Sequence, residues 1–328
     1  MIAYTVRRLF AAIPTLIAAS FLVFWLGSLS RDPVQEKYGA RNPPVPQNAL
    51  DEEYARLGLH DGFFEQYWTW ITRVVTGGGF GPSINKTTNI NAEIVDRALE
   101  TTALISTAMV IAVVMAVVTG VLSAMRQYSK TDYTFTFLGF LFLGTPTFFF
   151  AVLLLHSAIL FNEGTGTRYI FTVGARSEGA DLHGWALVTD MAGHLILPTI
   201  SLSLLTYAAL SRFQRTSMLE VLNSDYIRLA RSKGLMPRRV LIRHALRTAL
   251  IPMTTATALT IAALLGGAVI TERVYDWDGM GKLLVDSITI GDRNAILAWL
   301  LLAGAFVVIG NLVADLLYAV LDPRIRYE

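Results

Sequence analysis

The chain has 328 residues, 53% of them hydrophobic and 16% charged, with a formal net charge of +2 and a mean hydropathy of +0.49. A soluble globular domain has about a quarter of its residues charged, so this chain lacks the polar surface to cover itself in water. The near-neutral balance points to no acidic partner, and the absence of cysteine excludes disulfides, thiolate metal sites and cysteine nucleophiles.

Six apolar runs follow one another along the chain: Leu9–Leu29, Thr101–Met125, Phe135–Phe161, Leu195–Ser211, Thr248–Thr271 and Ala295–Leu321. Each suits a hydrocarbon core of roughly 30 Å, which about 20 helical residues cross. Lipid offers the backbone no other partner, so each is expected to be a helix. The first run follows the basic stretch "YTVRRLF" but is longer than a signal-peptide core. "SLSRDP" after it is a poor cleavage site, so a retained anchor is expected. The sixth run contains Asp315. Its fifteen Leu, Ile, Val and Phe residues outweigh the cost of one carboxylate, about 3 kcal/mol. Asp315 is the one candidate for intramembrane chemistry; local pairing near the span end is the simpler reading, because a proton relay needs a second such group.

The segment 30–100, between the first two runs, is expected to be a structured external loop. "NPPVPQ" reads as a stiff exposed linker. "DGFFEQYWTWITRVV" places its aromatic and apolar residues at helical spacing, as a Trp-rich interfacial helix would. Packing on the outer ends of the spans and docking of another protein both remain open for it. "TGGGFGPS" (Thr76–Ser83) closes that helix with turn chemistry; no Lys-Ser/Thr pair follows to make a phosphate cradle.

Lys/Arg placement orients the chain. With both termini cytoplasmic, the inside segments hold fifteen Lys/Arg against five acids, and the outside segments twelve against nineteen, as the positive-inside rule requires. Catalytic signatures are missing: "DGMGKL" (Asp278–Leu283) is not a P-loop and "ARSEG" (Ala175–Gly179) is not a nucleophile elbow. His156 and His194 read as packed or interfacial residues. No cofactor is expected in this chain.

The segment 212–250 collects the positive charge. Ser224–Pro252 carries seven Lys/Arg and one acid, Asp225. "DYIRLARSK" reads as a helix of two turns, Gly234 suits its C′ position and Pro237 the first turn of the next helix. There Arg239, Arg243 and Arg247 share one face, and Leu241, Ile242, Ala245 and Ala249 the other. A basic face satisfies topology and touches anionic lipid. The Gly break and Pro restart also describe a rigid projection for a protein partner, and the residues alone leave both readings open. Nothing supports nucleic acid.

The stretch "RSKGLMPRRVLIRHALRTALIP" resembles the cytoplasmic coupling loop of ABC importer permeases, in particular the dipeptide/oligopeptide branch. "MIAYTVRRLFAAIPTLIAASFLVF", "EQYWTWITRVVTGGGFGPS", "GTPTFFFAVLLL", "HLILPTISLSL", "GGAVITERVYDWDGMGKLL" and "NLVADLLYAVLDPRIRY" extend the likeness over nearly the whole chain. It departs in three places. Arg228-Leu229-Ala230 stands for Glu-Ala-Ala, Trp277-Asp278-Gly279 for Trp-Pro-Gly, and "GDRN" (Gly291–Asn294) for Arg-Asp-Tyr-Pro. The last suggests a rim that meets its partner or solute differently.

The resemblance implies an all-α integral membrane protein with six transmembrane helices and the type I ABC importer permease fold, one permease domain over residues 1–328 of a bacterial inner membrane. It implies a second homologous permease, two ATPase subunits that carry ATP and Mg, and an extracytoplasmic solute-binding protein, besides membrane lipid. Asp225, Arg228, Ala230, Arg231, Lys233 and Gly234 would dock the ATPase. Peptides are the expected solute; the branch also includes nickel, glutathione and oligosaccharide carriers, and no metal-ligand cluster marks the spans. An ion-coupled carrier and a membrane scaffold are the readings from other classes.

Overall fold

The computed structural model describes the backbone of residues 2–29, 32–39, 44–85, 87–177, 179 and 182–321. Side chains are described for these residues except 2–9, 36, 258–259, 262–263, 265–267 and 313–321. The C-terminal tail and the Asp315 side chain therefore lie outside the described residues. The described chain is helical: α1 Ile2–Ser28, α2 Pro33–Tyr38, α3 Gln47–Leu57, α4 Phe63–Val75, α5 Ile90–Met125, α6 Lys130–Gly144, α7 Thr147–Thr165, α8 Trp185–Leu222, α9 Asp225–Ser232, α10 Pro237–Arg239, a π-helical turn Val240–Leu246, α11 Arg247–Val274, α12 Met280–Thr289 and α13 Arg293–Leu321.

Among the described residues, five helices are long and apolar enough to cross a membrane: α1, α5, α7, α8 and α13. The fifth predicted run lies in α11, a helix of 28 residues. Two expectations need correction. Phe135–Phe161 is not one helix: Thr145 is extended (φ −89°, ψ 123°) and α7 restarts after Pro146. Proline has no N–H for the preceding turn and pushes the residue before it out of the α region. The spans are also longer than the apolar runs. α5 has 36 residues and α8 has 38, so at roughly 1.5 Å per residue both exceed 50 Å. Charge marks where a helix leaves lipid, not where it stops.

The chain divides into two compact units. The first comprises 1–101 with 278–308, the second 102–277 with 309–328. In the first unit the described residues between α1 and α5 form packed helices and turns. Asp32 caps α2 through the Val34 and Gln35 amides (2.9 and 3.3 Å). Glu53, buried at 1% exposure, pairs with Arg56 at 2.6 Å, which also donates to the Ser83 carbonyl at 2.7 Å. α4 lays Trp70 against Phe24 of α1 and Leu297 of α13. The glycine turn after it fits closely. Gly79 (φ +79°) leaves no room for a Cβ against Asn91, whose Oδ1 accepts from the Phe80 amide at 2.9 Å.

Asp292, in the departing "GDRN" stretch, turns out to hold this unit together. Its buried carboxylate accepts from the Ser83 hydroxyl, the Ile84 amide (3.0 Å) and the Ala295 amide at the start of α13 (3.2 Å). Asn294 adds a bond to the Pro82 carbonyl at 2.8 Å. In the second unit, the largest core runs through Leu104, Ala108 and Ala112 of α5, Leu202, Tyr207 and Leu210 of α8, Met253, Leu264 and Ala268 of α11, and Trp277. α6 and α7 pack on α8. Trp277 is fully buried, and its amide bonds the Glu272 carbonyl at 2.8 Å. This turn is therefore closed by backbone, with Asp276 at φ +49°.

Asp292→Ala strands two buried donors, the Ser83 hydroxyl and the Ile84 amide. We expect a loss of about 2–4 kcal/mol in the first unit, seen as faster hydrogen exchange at Ile84 and protease cleavage at Ser83–Asn85.

Candidate functional site

The basic segment is a folded object in the second unit. α9 begins after Ser224 (φ −72°, ψ 152°); the Ser224 hydroxyl turns back to the Val221 carbonyl (2.6 Å) rather than capping α9. Asp225 opens the first turn and pairs with Arg228 at 2.9 Å, both side chains largely exposed. That pair is worth little by itself. What holds the helix is its apolar face. Ile227 and Ala230 are buried with Ala124 of α5, Met218 of α8, and Val240, Ala245 and Ala249 beyond the break.

The helix ends in a Schellman motif. The Gly234 amide bonds the Arg231 carbonyl at 3.0 Å, and the Leu235 amide bonds the Ala230 carbonyl at 3.4 Å. Gly234 sits at φ +74°, where a Cβ costs about 1–2 kcal/mol. Leu235 turns into the same apolar cluster. Met236 is extended and Pro237 starts α10, as its fixed φ and missing N–H favour.

The next turn is π-helical over Val240–Leu246, a wider winding that is rare in helices. Arg239, Arg243 and Arg247 are all exposed, and Ala245 and Ala249 buried. Ile242 departs from the expected apolar face and is 52% exposed. The wider turn breaks the simple helical register on which that expectation rested.

The predicted residues thus separate into two groups. Asp225, Arg228, Arg231, Lys233 and Gly234 share the exposed surface of the projection, while Ala230 is 8% exposed and lies beneath it. Ala230 packs the projection onto the bundle, and its own side chain offers no docking surface. Three exposed apolar residues were missed: Tyr226, Leu229 and Met236. Their signal was present, since Ile227 and Ala230 already fill the buried face of so short a helix.

Sequence reasoning also missed the polar centre beside it. After α5 the chain turns through Tyr128 (φ +62°), and Ser129 caps α6 by accepting from the Asp132 amide at 3.3 Å. Asp132, 3% exposed, receives Arg215 of α8 in a fork, Nε at 2.8 Å and Nη2 at 2.9 Å. It also accepts from the Tyr128 amide (2.9 Å) and the Ser123 hydroxyl. The Arg215 fork holds its carboxyl well below the usual aspartate range, outweighing burial, which pushes it up. The centre adjoins the apolar cluster through neighbours on the same helices: Ser123 precedes Ala124 on α5, and Arg215 lies one turn before Met218 on α8.

The other titratable candidates are placed differently. His194 is buried, stacked on Phe171 at 4.2 Å, with Nδ1 2.9 Å from the Asp190 carbonyl. His156 is exposed on α7. Among the described residues, no group of three His, Cys, Asp or Glu residues is arranged to hold a metal ion. The basic segment offers a charged, shaped surface.

Comparison with known proteins is consistent along the chain. Residues 116–327 match the family model described as binding-protein-dependent transport system inner membrane component. Residues 1–105 match the model of the N-terminal part of such membrane components. The oligopeptide transport system permease protein OppB of Mycobacterium bovis is 39% identical over 326 residues, covering 99% of this chain and 99% of that protein. The oligopeptide transport system permease protein AppB of Bacillus subtilis is 37% identical and both chains are covered completely. The inward-facing MetNI methionine ABC transporter shares the fold at a TM-score of 0.53 and 18% identity, over 70% of this chain and 96% of that one.

The Asp132 centre makes a pH-dependent prediction. A folded-state value below the unfolded one adds stability that is complete above the ordinary aspartate range, near 3.9, and disappears as pH falls through the folded value. Asp132→Asn should cost about 2–3 kcal/mol at neutral pH. Its deficit against the parent, read from denaturant midpoints, should shrink once pH drops below about 4.

Proposed function

Because this chain belongs to the binding-protein-dependent transport system inner membrane component family, we propose that it is the permease subunit of an ATP-driven importer that takes up oligopeptides or dipeptides. The observation that carries the solute class is 39% identity, over 99% of both chains, to an oligopeptide permease protein. The chain lies in the bacterial inner membrane with both termini in the cytoplasm, as its Lys/Arg asymmetry favours. It forms half of a pathway with a second, homologous permease. Two ATPase subunits hold ATP and Mg, and an extracytoplasmic binding protein delivers the solute.

In this reading α9 is the contact through which ATPase closure moves the spans. Arg228, Arg231 and Lys233 supply charge, and Tyr226 and Leu229 supply apolar area, on one short projection. The Gly234 break fixes its angle to the bundle, and the Ile227–Met218–Ala245 cluster carries its displacement into α8 and α11. Nucleotide and solute then act only through their different affinities for the inward-open and outward-open states. An ion-coupled carrier or a scaffold would need no ATPase on this surface.

Gly234→Asp tests the coupling. No atom lies within 4 Å of a Cβ built there, and Asp enters the left-handed region more readily than most residues. The variant should therefore fold and insert. We expect mild-detergent purification of the tagged parent to recover a P-loop ATPase and a second permease, with peptide-stimulated hydrolysis. In the variant, uptake per ATP should fall about tenfold, within the usual range of coupling energies. Normal coupling in Gly234→Asp would remove the docking assignment, and a lone chain without an ATPase would remove the importer reading.

A further inference from the structure

The apolar face of α4 is wider than its packing requires. At roughly 100° per residue, the face from Trp70 round to Trp68 covers about 160° of the helix. Half of it is used: Phe63, Tyr67, Trp70 and Val74 pack with Phe24 of α1 and with Leu297 and Leu301 of α13. The other half is bare. Phe64 is 75% exposed, Trp68 69% and Val75 78%. Glu65 and Thr69, on the polar side, are exposed as well.

The position of α4 against α1 gives this bare stripe a meaning. The Tyr67 hydroxyl lies 3.3 Å from the Ile17 carbonyl and 3.1 Å from the Ser20 hydroxyl. The apolar window of α1 runs from Phe10 to Ser28. Ser20 is eight residues before its end, or roughly 12 Å along the axis. A helix standing above the bilayer would touch only the last turn of the span. This one reaches well down its side.

The stripe also continues a surface that lipid must cover. Phe21 of α1 meets Phe63 and Tyr67 edge to face, at 5.7 and 5.2 Å between centroids, and remains 38% exposed. Beside it α1 exposes Ile13, Ile17, Leu22 and Trp25, in a helix long and apolar enough to cross a membrane. Arg293 ties the start of α13 to α1 and α4. Its guanidinium lies 4.2 Å over the Phe24 ring and donates to the Gln66 side chain at 2.8 Å.

We propose that α4 is an embedded interfacial helix, with Phe64, Trp68 and Val75 seated in the acyl boundary of the leaflet nearest Ser28. The occupant of the bare stripe is lipid. The segment between the first two spans is thus anchored to the membrane through its own helix as well as through α1. Large apolar groups on one side, a polar opposite face and an indole at the boundary are the features that hold a helix in the interface plane. The inference is independent of which solute is carried.

The absence of native cysteine makes the test direct. Phe64→Cys, Trp68→Cys and, on the polar face, Thr69→Cys are each labelled with an environment-sensitive fluorophore. The full chain is reconstituted into phosphatidylethanolamine–phosphatidylglycerol vesicles. Nitroxide lipids labelled high on the acyl chain should quench positions 64 and 68 at least about threefold more than position 69, with aqueous iodide giving the reverse order. Equal iodide quenching at all three positions would overturn the proposal, because the stripe would then face water. Protection from iodide without quenching by lipid would overturn it too, because protein would then cover the stripe.

Discussion

Hydrocarbon offers a peptide group no hydrogen-bond partner, and this constraint governs the rest of the chain. It makes each span a helix, because only a helix satisfies its backbone internally. It also moves every irregular element to the ends of helices, where side chains or water can take over. The break between α6 and α7 shows the tolerance of the rule. Pro146 removes one donor, and the Thr145 hydroxyl donates to the Leu141 carbonyl at 2.7 Å, so a carbonyl near the break keeps a partner.

At the helix ends, buried carboxylates organise the loops. Asp292 gathers the Ser83 hydroxyl with the Ile84 and Ala295 amides, and Asp132 gathers Ser123, the Tyr128 amide and the Arg215 fork. Each ties a turn to a helix distant in sequence, and each accepts from several donors already in place. Such closure is costly to break on one side only, because the stranded partner stays buried. It gives each unit a defined loop framework in a chain with no disulfide to supply one.

The basic segment combines charge with fixed geometry. Seven cations alone would satisfy topology on a disordered loop. Here the Schellman motif at Gly234, the restart at Pro237 and the π-helical turn set the direction of α9, and the Ile227–Met218 cluster roots it in the bundle. In the proposed reading, a push on this projection is passed through that cluster to α8 and α11. Tyr226 and Leu229 stay exposed because the buried side of α9 is already filled by Ile227 and Ala230; the proposed docking would use them as contact area.

Much of this was legible in the sequence, because spacing and punctuation are local. Apolar runs of bilayer length, the Gly234 break, the Pro237 restart and the periodicity of α4 depend on residues a few positions apart. The sequence therefore determined the helical class, five of the six apolar runs as helices and the projection by itself, while the third run breaks at Thr145. Tertiary structure decided what depends on distant neighbours. Arg215 finds Asp132 across 83 positions, and Asp292 finds Ser83 across 209. Ala230 belongs beneath the projection because Met218 and Ala245 meet it there. α4 lies deep along α1 because Tyr67 reaches Ser20 and Ile17. No local pattern encodes such pairings, because their free energy exists only once the helices have packed.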